Sequence, residues 1–241
     1  MPGFEKLFRA PYGVPNALER VDDGLWIADQ ISDRLALVDI TKPGGDTPGH
    51  ASYGVTFRRK EIPSDGSNIS GLAYGQETFW VASNGPGTLW RPSRPTDAGA
   101  GAGVILQVHA DSGQTLMRRP VPGGGGVHGI EYDRIDPGHL WITTLSQKTL
   151  TKVRISDWQV LHAIALPYVR AHGVVRTAAG VWVVHTADRV IVHLDVEDGH
   201  ELDRIEVPTS EPEPHGLCDW GGGELAYCDA TSGWVVRIHG I

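Results

Sequence analysis

The chain has 241 residues, with 21 Lys and Arg against 29 Asp and Glu, so its formal charge is −8. That balance, with no Lys/Arg run, argues against a nucleic-acid or anionic-membrane partner. Two cysteines, Cys218 and Cys228, make neither a disulfide framework nor a zinc motif, and no apolar run approaches transmembrane length.

Met1 to Pro15 shows no apolar core or cleavage pattern of a secretory signal. With both cysteines expected as buried thiols, the compartment expected is the cytoplasm. A GxGxxG pattern occurs at 124–129, but it leads into a predicted strand, where a dinucleotide loop should lead into a helix.

In chain order, the first predicted strand is 4–8. Four runs follow at 15–19, 25–29, 35–39 and 55–59, rich in β-branched, aromatic and aliphatic residues. The same sequence of four recurs at 69–73, 79–83, 104–108 and 115–119. It recurs again at 127–131, 140–144, 150–154 and 160–164, and at 171–175, 181–185, 190–194 and 202–206. The last set stops at three, 214–218, 225–229 and 234–238, because the chain ends at Ile241. Turn residues such as Asp22-Asp23-Gly24 and Gly221-Gly222-Gly223 separate the first two runs of a set.

The repeat is clearest in the first run of each set. His128-Gly129-Ile130, His172-Gly173-Val174 and His215-Gly216-Leu217 share one pattern, with looser copies at Ser70-Gly71-Leu72 and Asn16-Ala17-Leu18. The polar positions are 54, 58, 44 and 43 residues apart, a period that means a propeller or an array. The fold expected is therefore all-β: one β-propeller over 1–241, with five four-stranded blades. The spare N-terminal strand completes the last blade and protects its edge.

First strands line the channel, and second strands run antiparallel beside them. Symmetric hairpins then place two polar rings on one face. The inner ring is Asn16, Ser70, His128, His172 and His215. The outer ring is Asp29, Ser83, Thr144, His185 and Asp229. Three neutral imidazoles converging from separate strands can hold a metal, so His128, His172 and His215 are candidate ligands for a divalent ion: Zn, Mn, Mg or Fe. His172, His185 and His215 are the candidate catalytic groups. Asn16, Asp29, Ser70, Ser83, Thr144, Asp229 and Trp90 are candidate substrate contacts, and Asp229 could orient His215 by accepting its second N–H. An equally simple role for each histidine is structural, its ring bonding a backbone carbonyl of the next blade. Glu19 and Glu131, three residues beyond the inner ring, should point away from it by alternation. An insertion at 84–103, containing Trp90, leaves the second blade on the ring face, where it could border the site.

The His-Gly-aliphatic, Leu-Trp-Ile and Asp-x-x-x-Gly repeats resemble the streptogramin (virginiamycin B) lyase propellers and, more distantly, the gluconolactonase/regucalcin-like propellers. Those lyases have more blades than the five counted here. The resemblance implies metal-assisted ring opening by elimination, with a histidine base that His215 or His172 would match. For a lactonase-type calcium set, Asn16, Asp29 and Asp229 are the residues available. The function expected is a metal-dependent lyase or hydrolase acting on a small molecule, as a monomer. The alternatives are a non-catalytic propeller that binds a ligand or protein, and a three-histidine non-haem redox enzyme. Fold alone does not choose among them.

Overall fold

The computed structural model describes residues 2–40 and 58–241. It is built of strands arranged as five four-stranded antiparallel sheets. The first blade is β2 (Pro15–Val21), β3 (Gly24–Asp29), β4 (Leu35–Val38) and β5 (Arg58–Ile62). The second is β6 (Ile69–Gly75), β7 (Thr78–Ser83), β8 (Val104–His109) and β9 (Thr115–Pro120). The third is β10 (Val127–Tyr132), β11 (His139–Thr144), β12 (Thr149–Arg154) and β13 (Val160–Ala165). The fourth is β14 (Ala171–Thr177), β15 (Gly180–His185), β16 (Val190–Leu194) and β17 (Glu201–Glu206). The fifth is β18 (Leu217–Gly221), β19 (Glu224–Cys228) and β20 (Trp234–His239), completed by β1 (Gly3–Arg9) on β20. The five-bladed, N-terminally closed propeller expected from the repeat is the fold observed. The fourth strand of blade one lies later than the expected 55–59, of which 55–57 falls outside the described residues.

Five apolar clusters hold the blades together, one in each seam. Trp26, Leu35 and Leu37 of blade one meet Phe79, Val81 and Leu106 of blade two. Trp80, Ala82 and Ile105 turn the other way, onto Ile130, Leu140 and Ile142 of blade three. Alternate residues of one strand thus serve two seams. That is why the second strands are apolar throughout instead of alternating apolar with polar. The closing strand joins the same scheme, because Phe8 is buried between Leu18 and Ile27 of blade one and Cys218 and Val235 of blade five. Burying one such side chain stabilises by about 1.5–3 kcal/mol.

The His-Gly pairs have a packing reason of their own. A Cβ at Gly129 would lie 1.9 Å from the carbonyl oxygen of His172, and one at Gly173 would lie 2.2 Å from the amide nitrogen of Leu217. The glycines let the inner strands of neighbouring blades approach around a narrow axis. Within each of blades one to four, the inner-ring position is also a β-bulge. Pro15 pairs Asp29, Ile69 pairs Ser83, Val127 pairs Thr144 and Ala171 pairs His185, with the register slipping just after each. A symmetric hairpin would set His172 opposite His185; a bulge at His172 instead sets Ala171 there and re-aims the ring.

The aliphatic residue after each of these glycines, and after Ala17 in blade one, closes the channel. Leu18, Leu72, Ile130, Val174 and Leu217 meet on the axis and leave a cavity of about 10 Å³, room for at most about one water. The axis thus carries an apolar plug as well as the polar ring expected from the repeat. The plug separates two polar mouths.

Candidate functional site

At the mouth where first strands begin, the three inner-ring histidines come together as a stack. The His128 and His172 ring centres are 3.9 Å apart with planes tilted by 35°, and the His172 and His215 centres are 5.0 Å apart and near-perpendicular. His185 lies at the same mouth, with Tyr168 packed against it edge-on at 5.1 Å. His172, His185 and His215 are buried.

Hydrogen-bond accounting divides the ten ring residues into two groups. Most of the polar positions are engaged by the fold itself. Asp29 accepts the Val14 and Ser32 amides, and Asp229 accepts the Thr231 amide and the Ser232 hydroxyl. Both carboxylates thus cap turns. Ser83 accepts the Ser67 amide, and Thr144 bonds Thr149 and Thr151. The orienting role expected of Asp229 falls instead to Glu213. The Glu213 backbone carbonyl accepts His215 Nδ1–H at 3.2 Å, with its carboxylate 3.6 Å from Nε2.

Inner-ring side chains follow a rule of their own. Asn16 Nδ2 donates to the Ile69 carbonyl, and Ser70 Oγ donates to the Val127 carbonyl. Each thus bonds the residue just before the inner-ring position of the next blade. By that rule His172 should bond the Pro214 carbonyl, as a structural histidine would. Thr186 Oγ occupies that carbonyl instead, at 2.8 Å. Both nitrogens of His172 are left buried without a partner, as are both nitrogens of His185 and Oδ1 of Asn16, whereas His128 Nδ1 faces the Ala171 carbonyl as the rule has it. A buried, unsatisfied polar atom costs about 1–3 kcal/mol. Five at one mouth therefore call for a functional explanation.

His128 is a different case. Asn84, the first residue of the insertion, accepts the Val127 amide through Oδ1, which fixes its amide orientation. Its Nδ2 then donates to His128 Nε2 at 2.8 Å. With that lone pair engaged, the neutral ring carries its proton on Nδ1.

The imidazoles are uncharged at neutral pH. Burial pushes His185 down from 6.5 to about 4. Burial, then the positive charge of Arg170, brings His128 to about 4. Burial, with repulsion from His128 and His215, holds His172 well below the ordinary histidine range. Burial also lowers His215. A neutral ring offers both a donor and an acceptor.

These neutral donors suit a divalent ion chemically. Two imidazoles on one zinc at about 2.0–2.1 Å place their ring centres roughly 5 Å apart. The His172–His215 pair has that separation. His128 stands about 1 Å too near His172 on that standard and has its lone pair on Asn84, so it would have to draw back and release Asn84 to join them. Among the described residues, the set whose ligand atoms all lie within 4.8 Å of one another is Asp195, Asp198 and His200. That set occupies the turn between β16 and β17, on the opposite face from the histidines. Its carboxylates serve the Glu197 and His200 amides.

The insertion is fastened across the ring face. Arg91 and Arg94 both pair with Asp33, Arg91 also pairs with Asp97, and the Ala98 amide donates to Ser67 Oγ. Asn84 carries it to the edge of the histidine stack, where it meets His128. Trp90 stands 44% exposed on this loop. Glu19 and Glu131 reach the opposite mouth, where Arg134 pairs with Glu19 and the Arg176 amide donates to Glu131 at 3.3 Å. Beside them lies a cavity of about 830 Å³ lined by Arg20, Asp22, Asp23, Arg59, Arg134 and Asp219.

No family model matches the chain, and no curated protein matches it in sequence. Solved structures do match in fold. The glutaminyl cyclase of Myxococcus xanthus superposes with a TM-score of 0.64 at 12% identity, covering 99% of this chain and 95% of that one. A Bacteroides caccae protein of unknown function gives 0.54 at 11% identity, over 89% of this chain and 70% of the other. A β-propeller domain from Myceliophteria thermophila gives 0.52 at 10%, over 99% and 100%. The chain shares the propeller fold with these proteins. The resemblance to streptogramin lyases and lactonase propellers is supported at that level, as a propeller, without membership of either family.

Proposed function

We propose that the chain is an enzyme that opens or cleaves a small molecule at the histidine mouth, by elimination or hydrolysis. One observation carries the proposal. Thr186 takes the carbonyl that a structural His172 would use, so His172 and His185 keep four buried, unpartnered ring nitrogens. The likeness to the glutaminyl cyclase supports a scaffold that can host catalysis, and it leaves the substrate open.

In this reading, His172 and His215 would hold a divalent ion, with His128 as third ligand once Asn84 lets go. The ion would polarise a carbonyl or activate water. His185 is the proton-transfer group, since burial keeps its lone pair free at neutral pH. Tyr168 packs on its edge and limits its rotation. Asn16 Oδ1 is available to accept a substrate N–H or O–H.

The test is calorimetric titration of Zn²⁺, Mn²⁺ and Fe²⁺ into chelator-treated protein. The parent should take up one ion, His172→Ala should lose it, and His185→Ala should keep it. Uptake no tighter than about millimolar in the parent would remove the ion from the proposal, because three converging ligands should bind far more tightly than that.

A further inference from the structure

The β13–β14 connection ends at Arg170, two residues before His172 and on the face where the histidine stack opens. Its backbone is fixed, because its carbonyl accepts the Thr186 amide at 3.1 Å. Its guanidinium is exposed, and among the described residues it has no carboxylate or carbonyl partner.

The other arginines of this face are engaged. Arg34 pairs with Glu61, and Arg91 and Arg94 pair with Asp33. Arg189 donates to the carbonyls of Val207, Pro208, Glu211 and Pro212. Arg9 donates to the Ser232 carbonyl. The carboxylates that could neutralise Arg170 from the rings, Asp29 and Asp229, are held by turn amides. The arginine next to the stack is therefore left without an ion-pair partner among the described residues, in a chain whose net charge is −8.

We propose that Arg170 anchors a carboxylate group of the substrate at the histidine mouth, holding the reacting part of the molecule over His172 and His185. This rests on the catalytic reading above and adds the substrate class to it. A guanidinium presents a planar fork that matches a carboxylate with two parallel hydrogen bonds. One arginine beside uncharged imidazoles offers a single positive charge, the match for one carboxylate. A phosphate dianion would bring twice that charge to one cation and be repelled more strongly by the Glu213 carboxylate near His215, a poorer match. The field of Arg170 extends into the site, because its charge helps keep His128, His172 and His215 neutral, after burial. It also offers long-range attraction to an anion approaching an otherwise acidic protein.

The test uses acetate, malonate and inorganic phosphate as probes, read by histidine-ring ¹⁵N NMR of the whole chain at fixed pH and ionic strength. A carboxylate should shift the His172 and His215 ring signals saturably in the parent. Arg170→Gln should weaken that by about tenfold or more, the scale of a lost charge-assisted pair. Arg170→Lys should restore it in part, since a point charge lacks the fork. Equal carboxylate binding by parent and Arg170→Gln overturns the anchor. So does tighter binding of phosphate than of carboxylate. Metal uptake by Arg170→Gln separates the two claims. If it takes up the ion normally but the anion response does not depend on Arg170, the anchor alone fails. If neither ion nor anion perturbs the rings, the catalytic reading fails with it.

Discussion

The two mouths of the channel are made by the same five inner strands, and they have settled their polar groups in opposite ways. At one, the inner-ring position offers imidazoles that are buried, neutral and in large part unpartnered. At the other, three residues along, Glu19 and Glu131 are also desolvated, but Arg134 reaches from the β10–β11 link to pair with Glu19, and the Arg176 amide serves Glu131. Chemistry is available where hydrogen-bonding capacity is left over. Cavity size points the other way, since the 830 Å³ cavity lies at the glutamate mouth. The comparison favours the histidine mouth because a paired carboxylate must first lose its partner.

Opening the ring should disturb both mouths together and has the largest expected effect. Deleting residues 1–10 removes β1 and Phe8 from the seam between blades five and one. Thermal unfolding should lose its single cooperative transition or fall by more than about 10 °C, on a scale of about 2–4 °C per kcal/mol for a chain this size. An unchanged melting curve would refute closure by β1.

The mouths can then be told apart by pH. Glu19 is pushed up from 4.5 to about 7, chiefly by burial. Its contribution to stability is fully present below 4.5 and is lost as pH rises through 7. His185 is pushed down from 6.5 to about 4, so its contribution is present above 6.5 and is lost as pH falls through 4. The two slopes oppose each other between these limits. Glu19→Gln should flatten the first and His185→Gln the second, each by roughly 3 kcal/mol at most, from about 1.4 kcal/mol per pH unit. Denaturant titrations at pH 4.5, 6 and 8 read both, and like slopes in the two variants would contradict the division.

Arg134→Ala should leave Glu19 desolvated without its cation. Arg134 is half exposed, so the cost is modest, about 1–2 kcal/mol at pH 8, and it should shrink at pH 5 where Glu19 holds its proton. A cost that does not change with pH would mean that Arg134 acts by packing. Thr186→Val should cost about 1 kcal/mol and release the Pro214 carbonyl to His172. Ion uptake should then weaken, and unchanged uptake would show that Thr186 does not keep His172 free.

Much of the fold was legible in the sequence because blade packing repeats. The Leu-Trp-Ile runs are apolar at every position since each residue faces one seam or the other, and the glycine after each histidine answers to the next blade's backbone. The rings were legible as positions, yet their chemistry was not. Asp29 and Asp229 look like ligands in the repeat but cap turns, and a turn amide leaves no periodic mark. The bulge that turns His172 off its partner depends on contacts between blades. Asn84, Thr186 and Glu213 decide which ring nitrogens are free, and each comes from a loop outside the repeat. Arg170 could have been noticed as a cation directly preceding Ala171-His172-Gly173, but its lack of a partner is visible only in three dimensions.

The central claim is that His172 and His185 are uncharged imidazoles held unengaged at one mouth. Ring ¹⁵N spectra of the parent protein between pH 8 and pH 4 test it most directly. Each of these two rings should show one protonated and one lone-pair nitrogen throughout, with no titration above about pH 5, as burial requires. Midpoints near 6.5 for either ring, the ordinary histidine value, would mean that it is solvated or paired, and would contradict the account.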